Sequence, residues 1–169
     1  MDVEVTRNPD GGTDRRTDGG TGGWSGGWSG GWTKEAPARW DVGKAAAFGD
    51  LPPRLFGLGT PAAGDPLADE WWRAEDGRGV VGYGRLDDSW GDAETLVVVH
   101  PDRRGEGLGA VVLDRLEREA ARRHLNYVYN VVPLTHPDRE EISAWLRAHG
   151  FEEKADGELR KRVPRAEVD

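Results

Sequence analysis

The sequence predicts one mixed α/β domain, with a mostly antiparallel sheet flanked by helices, behind a disordered N-terminal tail. Three observations support this fold class. Short apolar and aromatic runs separated by turns fill the segment from Trp71 to Val99. A glycine-rich turn then leads into a segment with helical periodicity, and a second helix and a hairpin close the chain. A chain of 169 residues has room for one such domain.

Residues 1–33 form the predicted tail, and residues 34–165 form the predicted domain. The tail holds many glycines, almost no aliphatic residues, and a tryptophan repeat of four residues at Trp24, Trp28 and Trp32. Such a segment cannot bury enough apolar surface to fold alone, which favours disorder. The alternative is that the tryptophans dock on the domain or on a partner, since exposed indole rings are costly.

The elements follow in order along the domain. Residues 34–69 are rich in proline, glycine and alanine, and predict only a weak helix at residues 45–48. Three antiparallel strands are predicted at residues 71–74, 80–86 and 93–99. Helices are predicted at about 107–124 and 138–149, with a buried strand at 126–132 between them and a closing hairpin at 151–163.

Composition excludes several classes of protein. A net charge of -8 argues against a nucleic-acid partner, which requires a basic face. Cysteine is absent, and the four histidines show no metal-ligand spacing, so no metal is expected. No apolar run is long enough to cross a membrane. Arg15-Arg16 is followed by glycine and serine instead of an apolar export signal, so a cytoplasmic protein without a membrane partner is predicted.

The most informative segment runs from the strand Val97–Val99 through a basic turn into Gly105, Gly107 and Gly109. Glycines let a backbone approach a ligand, and the unpaired amides and dipole of a helix start favour an anion. The segment lacks the Gly-Lys-Ser/Thr of a Walker loop and the G-x-G-x-x-G of a dinucleotide site. It therefore predicts a site for a different phosphate-bearing ligand.

The pattern Arg104-x-x-Gly107-x-Gly109, after Val99-x-Pro101, resembles the coenzyme A loop of the GNAT superfamily of N-acetyltransferases. The order of elements over residues 70–163 resembles the core of that fold as well. The resemblance implies a GNAT fold, acetyl-CoA as cosubstrate and transfer of its acetyl group to an amine by direct attack. The acceptor would be a small-molecule or protein amine, drawn by the acidic charge when it is a cation; a homodimer is possible.

The resemblance also implies roles for individual residues. The pyrophosphate of acetyl-CoA would bind backbone amides of the loop and helix start, namely those of Gly105, Glu106, Gly107, Leu108, Gly109 and Ala110. Arg104 would add a charge-assisted phosphate contact. The pantetheine arm would pair with the backbone of Val97, Val98 and Val99, and an amide of Val97 or Val98 would stabilise the oxyanion.

Glu94, near the start of the same strand, is the predicted catalytic base, with a solvent-facing glutamate as the alternative. Leu146 occupies the position of the family's usual tyrosine acid, so Tyr129 is the predicted acid and His136 the alternative. Because half of the catalytic motif is missing, a second hypothesis remains open. The chain would then be a non-catalytic coenzyme A-binding module or an adaptor that acts through its tail.

Overall fold

The computed structural model describes residues 28–155 and 157–164. Its strands are β1 Gly31–Lys34, β2 Glu70–Asp76, β3 Gly79–Ser89, β4 Asp92–Val99, β5 Tyr127–Val131, β6 Glu152–Ala155 and β7 Glu158–Arg162. Its α-helices are α1 Val42–Phe48, α2 Leu108–Arg122 and α3 Arg139–Ala148. Two short 3-10 turns, Pro53–Phe56 and Pro101–Arg103, complete the regular structure of the described residues.

The seven strands form one sheet in the order β1-β2-β3-β4-β5-β7-β6. Among the described strands, β4 and β5 pair in parallel, and every other neighbouring pair is antiparallel. A parallel pair needs a crossover connection, which α2 supplies between β4 and β5. The predicted mixed, mostly antiparallel α/β fold is confirmed.

Each face of the sheet buries its own apolar core. The back face packs against α2 and α3, whose inner stripes contribute Val112, Leu116, Ile142 and Leu146. The front face packs against α1, around Phe48 and other buried side chains from β2, β3 and β4. Alternate residues along a strand point to opposite faces, so β4 can supply both cores. The two-sided burial of β4 makes it the centre of the molecule.

The first strand corrects the predicted boundary between tail and domain. Residues 31–34 form β1, which pairs antiparallel with β2, so ordered structure begins before residue 34. Trp32 stacks on Trp72 with ring centroids 5.4 Å apart, and Trp28 also packs against the back-face core. The docking alternative is therefore the right one for these two tryptophans. Trp24 and the rest of residues 1–27 lie outside the described residues.

Within residues 34–69, the weak helix prediction corresponds to α1, which begins three residues earlier than expected. The Asp41 side chain accepts a hydrogen bond from the Lys44 amide and caps the helix. Lys44 is completely buried, and its ammonium pairs with Glu35 and Asp41. The sequence pattern missed the start of α1 because a lysine on its inner face breaks the apolar stripe.

A membrane-spanning helix is not found in the described part of the chain, because none of its helices is both long and apolar enough.

Candidate active site

Strands β4 and β5 separate partway along their length and form a fork. Their parallel pairing covers three residues on each strand and ends where Glu94 is opposite Tyr129. Beyond that point β4 stays paired with β3 and β5 stays paired with β7. Two side chains cross the fork at its base: Asn130 Nδ2 donates to the Thr95 carbonyl at 2.9 Å, and the Thr95 hydroxyl donates to the Tyr129 carbonyl at 3.3 Å.

Hydrogen bonds further along β4 show which peptide groups face the gap. Arg104 Nε donates to the Val99 carbonyl at 3.3 Å, from the side of the loop that follows β4. The amide of His100 instead donates to the Val81 carbonyl of β3, at 2.8 Å. Successive residues of a strand present their peptide groups to opposite edges. Odd-numbered residues of this part of β4 therefore face the fork, and even-numbered residues face β3.

This alternation separates the three valines expected to hold the pantetheine arm. Val97 and Val99 direct their peptide groups into the fork, where no β5 strand pairs with them. Val98 directs its peptide groups toward β3 and its side chain into the front-face core. Of the two amides considered for the oxyanion, that of Val97 has the suitable direction.

The start of α2 has the geometry expected of an anion site. Gly105 and Gly107 have φ angles of 83° and 78°, in the left-handed region that glycine adopts without strain. Gly107 is the N-cap residue, no described side chain caps the helix, and its first turn contains no acidic residue. The amides of this turn, including those of Leu108 and Gly109, therefore lack intrahelical acceptors and point out of the helix. They can bind a phosphate group together with the helix dipole.

Arg103 supports this loop, a role that the sequence did not reveal. Its buried guanidinium donates to both carboxylate oxygens of Asp76, at 3.1 and 2.5 Å, and to Glu106 Oε1 at 3.2 Å. The Glu106 carboxylate therefore points toward Arg103. Any contact between Glu106 and an anion would be made by its backbone amide. A buried arginine in a turn is not part of any apolar periodicity in the sequence. Its supporting role is visible only from the acidic side chains that contact it in the structure.

Gly109 allows α3 to approach the start of α2. A Cβ atom at this position would lie 3.3 Å from the Trp145 ring and 3.8 Å from a methyl group of Val99. These contacts place the indole of Trp145 beside the first turn of α2 at the open end of the fork. Gly109 thus serves the packing of α3 against α2.

Glu94 lies on the front face of β4, at the base of the fork. Its carboxylate is 3.3 Å from the Arg85 guanidinium, which is also 4.0 Å from Asp69. Burial raises the pKa of Glu94, the Arg85 charge opposes that change, and the nearby carboxylates of Asp87 and Asp69 add to it. The side chain is partly exposed, so it combines access with a raised proton affinity. These are properties of a general base.

The candidates for the acid differ in position. Leu146 is buried in the back-face core and has no proton to donate. Tyr129 is the register partner of Glu94 across the fork, and burial together with the Glu94 charge raises the pKa of its phenol. His136 lies in the loop after β5, buried beside the Phe56 ring, and burial lowers its pKa. The structure thus brings Glu94 and Tyr129 together.

A family model for the GNAT acetyltransferase domain matches residues 68–153, which is half of the chain. The chain belongs to the GNAT acetyltransferase family. The matched range begins just before β2 and ends in β6, so it contains the fork, the glycine loop and both back-face helices. The first strand and α1 lie outside it.

Solved structures share this GNAT fold at low sequence identity. A Klebsiella pneumoniae protein assigned to the acyl-CoA N-acyltransferases is 19% identical, with a TM-score of 0.60, and the match covers 79% of this chain and 97% of that one. A spermidine N-acetyltransferase chimera from Vibrio cholerae and hSSAT is 16% identical, with a TM-score of 0.50, covering 57% and 68%. No curated protein matches the chain in sequence.

Proposed function

We propose that this GNAT protein is an N-acetyltransferase that transfers the acetyl group of acetyl-CoA directly to an amine. The observation that carries the proposal is the joining of two features at one end of the sheet. The uncapped start of α2 offers amides to a pyrophosphate, and the fork beside it offers the peptide groups of Val97 and Val99, which no residue of β5 pairs with. An extended pantetheine arm can pair with such groups as a short strand would.

Each part of the site fits one part of acetyl-CoA. The amides of the residues from Gly105 to Ala110 and the Arg104 side chain would hold the phosphates. Val97 and Val99 would hold the pantetheine arm, and the Val97 amide would stabilise the oxyanion that forms on the acetyl carbonyl. These roles use backbone groups of Val97 and Val99 and require no polar side chain, so apolar valines can occupy both positions.

Glu94 and Tyr129 would move the protons. The amine attacks the thioester carbonyl, so that a C–N bond forms and the C–S bond breaks. Glu94 takes the proton that the attacking nitrogen loses, and Tyr129 returns a proton to the departing thiolate of coenzyme A. The phenol of Tyr129 is protonated at neutral pH, as that of an ordinary tyrosine is, and its raised pKa favours the protonated form further. The acceptor is a small-molecule or protein amine.

The test is thiol release from acetyl-CoA with a panel of amines, together with calorimetry of coenzyme A binding. Gly107→Asp should abolish binding, because it places a carboxylate against the phosphates. Gly107→Asn is the matched control, since asparagine has the same shape and tolerates the same left-handed backbone. Binding that is lost to the same extent in both variants, or absent from the wild type, contradicts the proposal.

A second candidate function is a coenzyme A-binding module that does not catalyse transfer. It is favoured by the buried Leu146 at the family's acid position and by the ion pair that engages Glu94 with Arg85. Turnover of any amine that is lost in Glu94→Gln decides for the enzyme. Tight binding of coenzyme A without turnover across a broad panel decides for the module.

A further inference from the structure

The fork between β4 and β5 opens at a defined point, and side chains mark that point. Backbone pairing ends at Glu94 and Tyr129, and the next carbonyl of β4, that of Thr95, would otherwise seek a backbone partner in β5. The Asn130 amide takes its place, with Nδ2 donating to this carbonyl at 2.9 Å. A side chain thus replaces the backbone at the first step of the separation.

The geometry points to a lock at the base of the fork, made by Asn130 and Thr95. Both residues are buried, Asn130 at 8% exposure and Thr95 at 1%. The Thr95 hydroxyl donates in the opposite direction, to the Tyr129 carbonyl, so the two bonds cross the same gap. Two polar groups that would be costly to bury alone are satisfied together. This satisfaction removes the driving force for β5 to continue pairing along β4.

We propose that Asn130 is a positioning residue for acyl transfer. By satisfying the Thr95 carbonyl, it ends the β4–β5 ladder beside Glu94 and makes Val97 the first residue of β4 whose peptide groups are unpaired in the fork. The position of the reacting acyl carbonyl relative to the base is therefore set by Asn130. This inference rests on the proposed acetyl transfer, although the lock itself is a property of the protein without ligand.

Asn130→Asp is the sharpest variant, because it keeps the shape and replaces the amide donor with a carboxylate that repels the Thr95 carbonyl. Asn126→Asp is a matched control: Asn126 Nδ2 also donates to a backbone carbonyl, that of Gly91, at 3.3 Å on the closed side of the same strand pair. We expect Asn130→Asp to lower kcat by about tenfold or more, as misplacement of a reacting group does. Asn126→Asp should leave kcat unchanged.

The binding of coenzyme A separates positioning from general damage. The pyrophosphate site lies at the start of α2, away from the lock, so the Kd for coenzyme A should stay within about twofold in Asn130→Asp while kcat falls. The thermal midpoint identifies a variant that fails to fold. In that case Thr95→Val, which removes only the hydroxyl bond to the Tyr129 carbonyl, should still lower kcat, and Thr95→Ser should restore it.

Hydrogen exchange tests the lock without relying on catalysis. In the unliganded protein, the amides of Ala93 and Thr95, which face β5, should exchange faster in Asn130→Asp than in the wild type, and Asn126→Asp should match the wild type there. If the wild type releases no thiol, the proposed function fails, and the exchange result alone decides whether Asn130 holds the fork. If the wild type is active but Asn130→Asp keeps its kcat and exchange pattern, the positioning role is wrong.

Discussion

The Arg85 guanidinium lies 3.3 Å from the Glu94 carboxylate on the front face of the sheet. Its side chain is buried, and it also approaches Asp69 at 4.0 Å, so one cation faces two acids. Asp87 and Glu158 add further negative charge around Glu94. The proton affinity of the proposed base is therefore a balance between burial and repulsion, which raise its pKa, and Arg85, which lowers it.

Arg85→Met should move the acid limb of the pH profile of kcat/KM to higher pH. Glu94 accepts a proton only when it is ionised, so activity rises as the pH passes through its pKa. Without the Arg85 charge that pKa rises further. Arg73→Met is the control, since Arg73 pairs with Glu35 instead. An acid limb that does not move in Arg85→Met would show that Glu94 is not the base.

Lys44→Met should lower the free energy of unfolding by about 3 kcal/mol, because it removes a fully buried cation and leaves the buried Glu35 carboxylate with Arg73 as its remaining ion-pair partner. The Lys44 ammonium is 2.6 Å from Glu35 and lies 4.8 Å from the centroid of the Tyr83 ring. Lys34→Met removes a half-exposed ion pair with Glu70 and should cost less than about 1 kcal/mol. Urea unfolding compares the two, and equal losses would contradict the structural role of Lys44.

Trp32→Ala should lower the free energy of unfolding by about 2 kcal/mol, through loss of the stacked contact with Trp72. Trp90→Ala is the matched control, because this indole is 98% exposed at the turn between β3 and β4. The control should unfold at the same urea concentration as the wild type. A Trp32→Ala protein as stable as the wild type would contradict the docking of β1 and support the predicted boundary between residues 33 and 34.

Arg103→Met should weaken coenzyme A binding by about tenfold, although Arg103 is not expected to contact the ligand. Its guanidinium ties Asp76 to Glu106 and so holds the loop before α2. Arg78→Met changes an exposed arginine beside the same loop, 3.8 Å from Glu106, and should leave the affinity unchanged. Calorimetry measures both, and an unaltered Kd in Arg103→Met would show that the loop needs no such support.

The parts of the fold that the sequence predicted best are those with a local signal. The valine run of β4, the glycines of the loop and the apolar stripe of α2 are each patterns within a short stretch of sequence. All three occur where they were expected. The structure also places the expected base, Glu94, opposite the expected acid, Tyr129. Their chemical roles stay predictions.

The missed features depend on contacts between distant residues. The composition around Trp32 indicated disorder, but Trp72 and the back-face core, which lie far along the chain, give this indole a surface to cover. The sequence did not identify Arg103 and Lys44 as buried, because their acid partners lie far along the chain or in another element. Asn130 carried no signal at all, since its importance comes from the point at which β4 and β5 separate.

The docked strand β1 raises a question of register. The tryptophan repeat extends into β1 and has a period of four residues, which is twice the side-chain period of a strand. A shift of β1 by one repeat would therefore place Trp28 at the position of Trp32, again with a glycine before it. The repeat therefore does not distinguish one register from the next. The distinction comes from Glu35, whose amide donates to the Trp71 carbonyl and whose carboxylate contacts Lys44 and Arg73. Glu35, together with the ion pair between Lys34 and Glu70, thus selects one alignment of β1 from a set of similar ones.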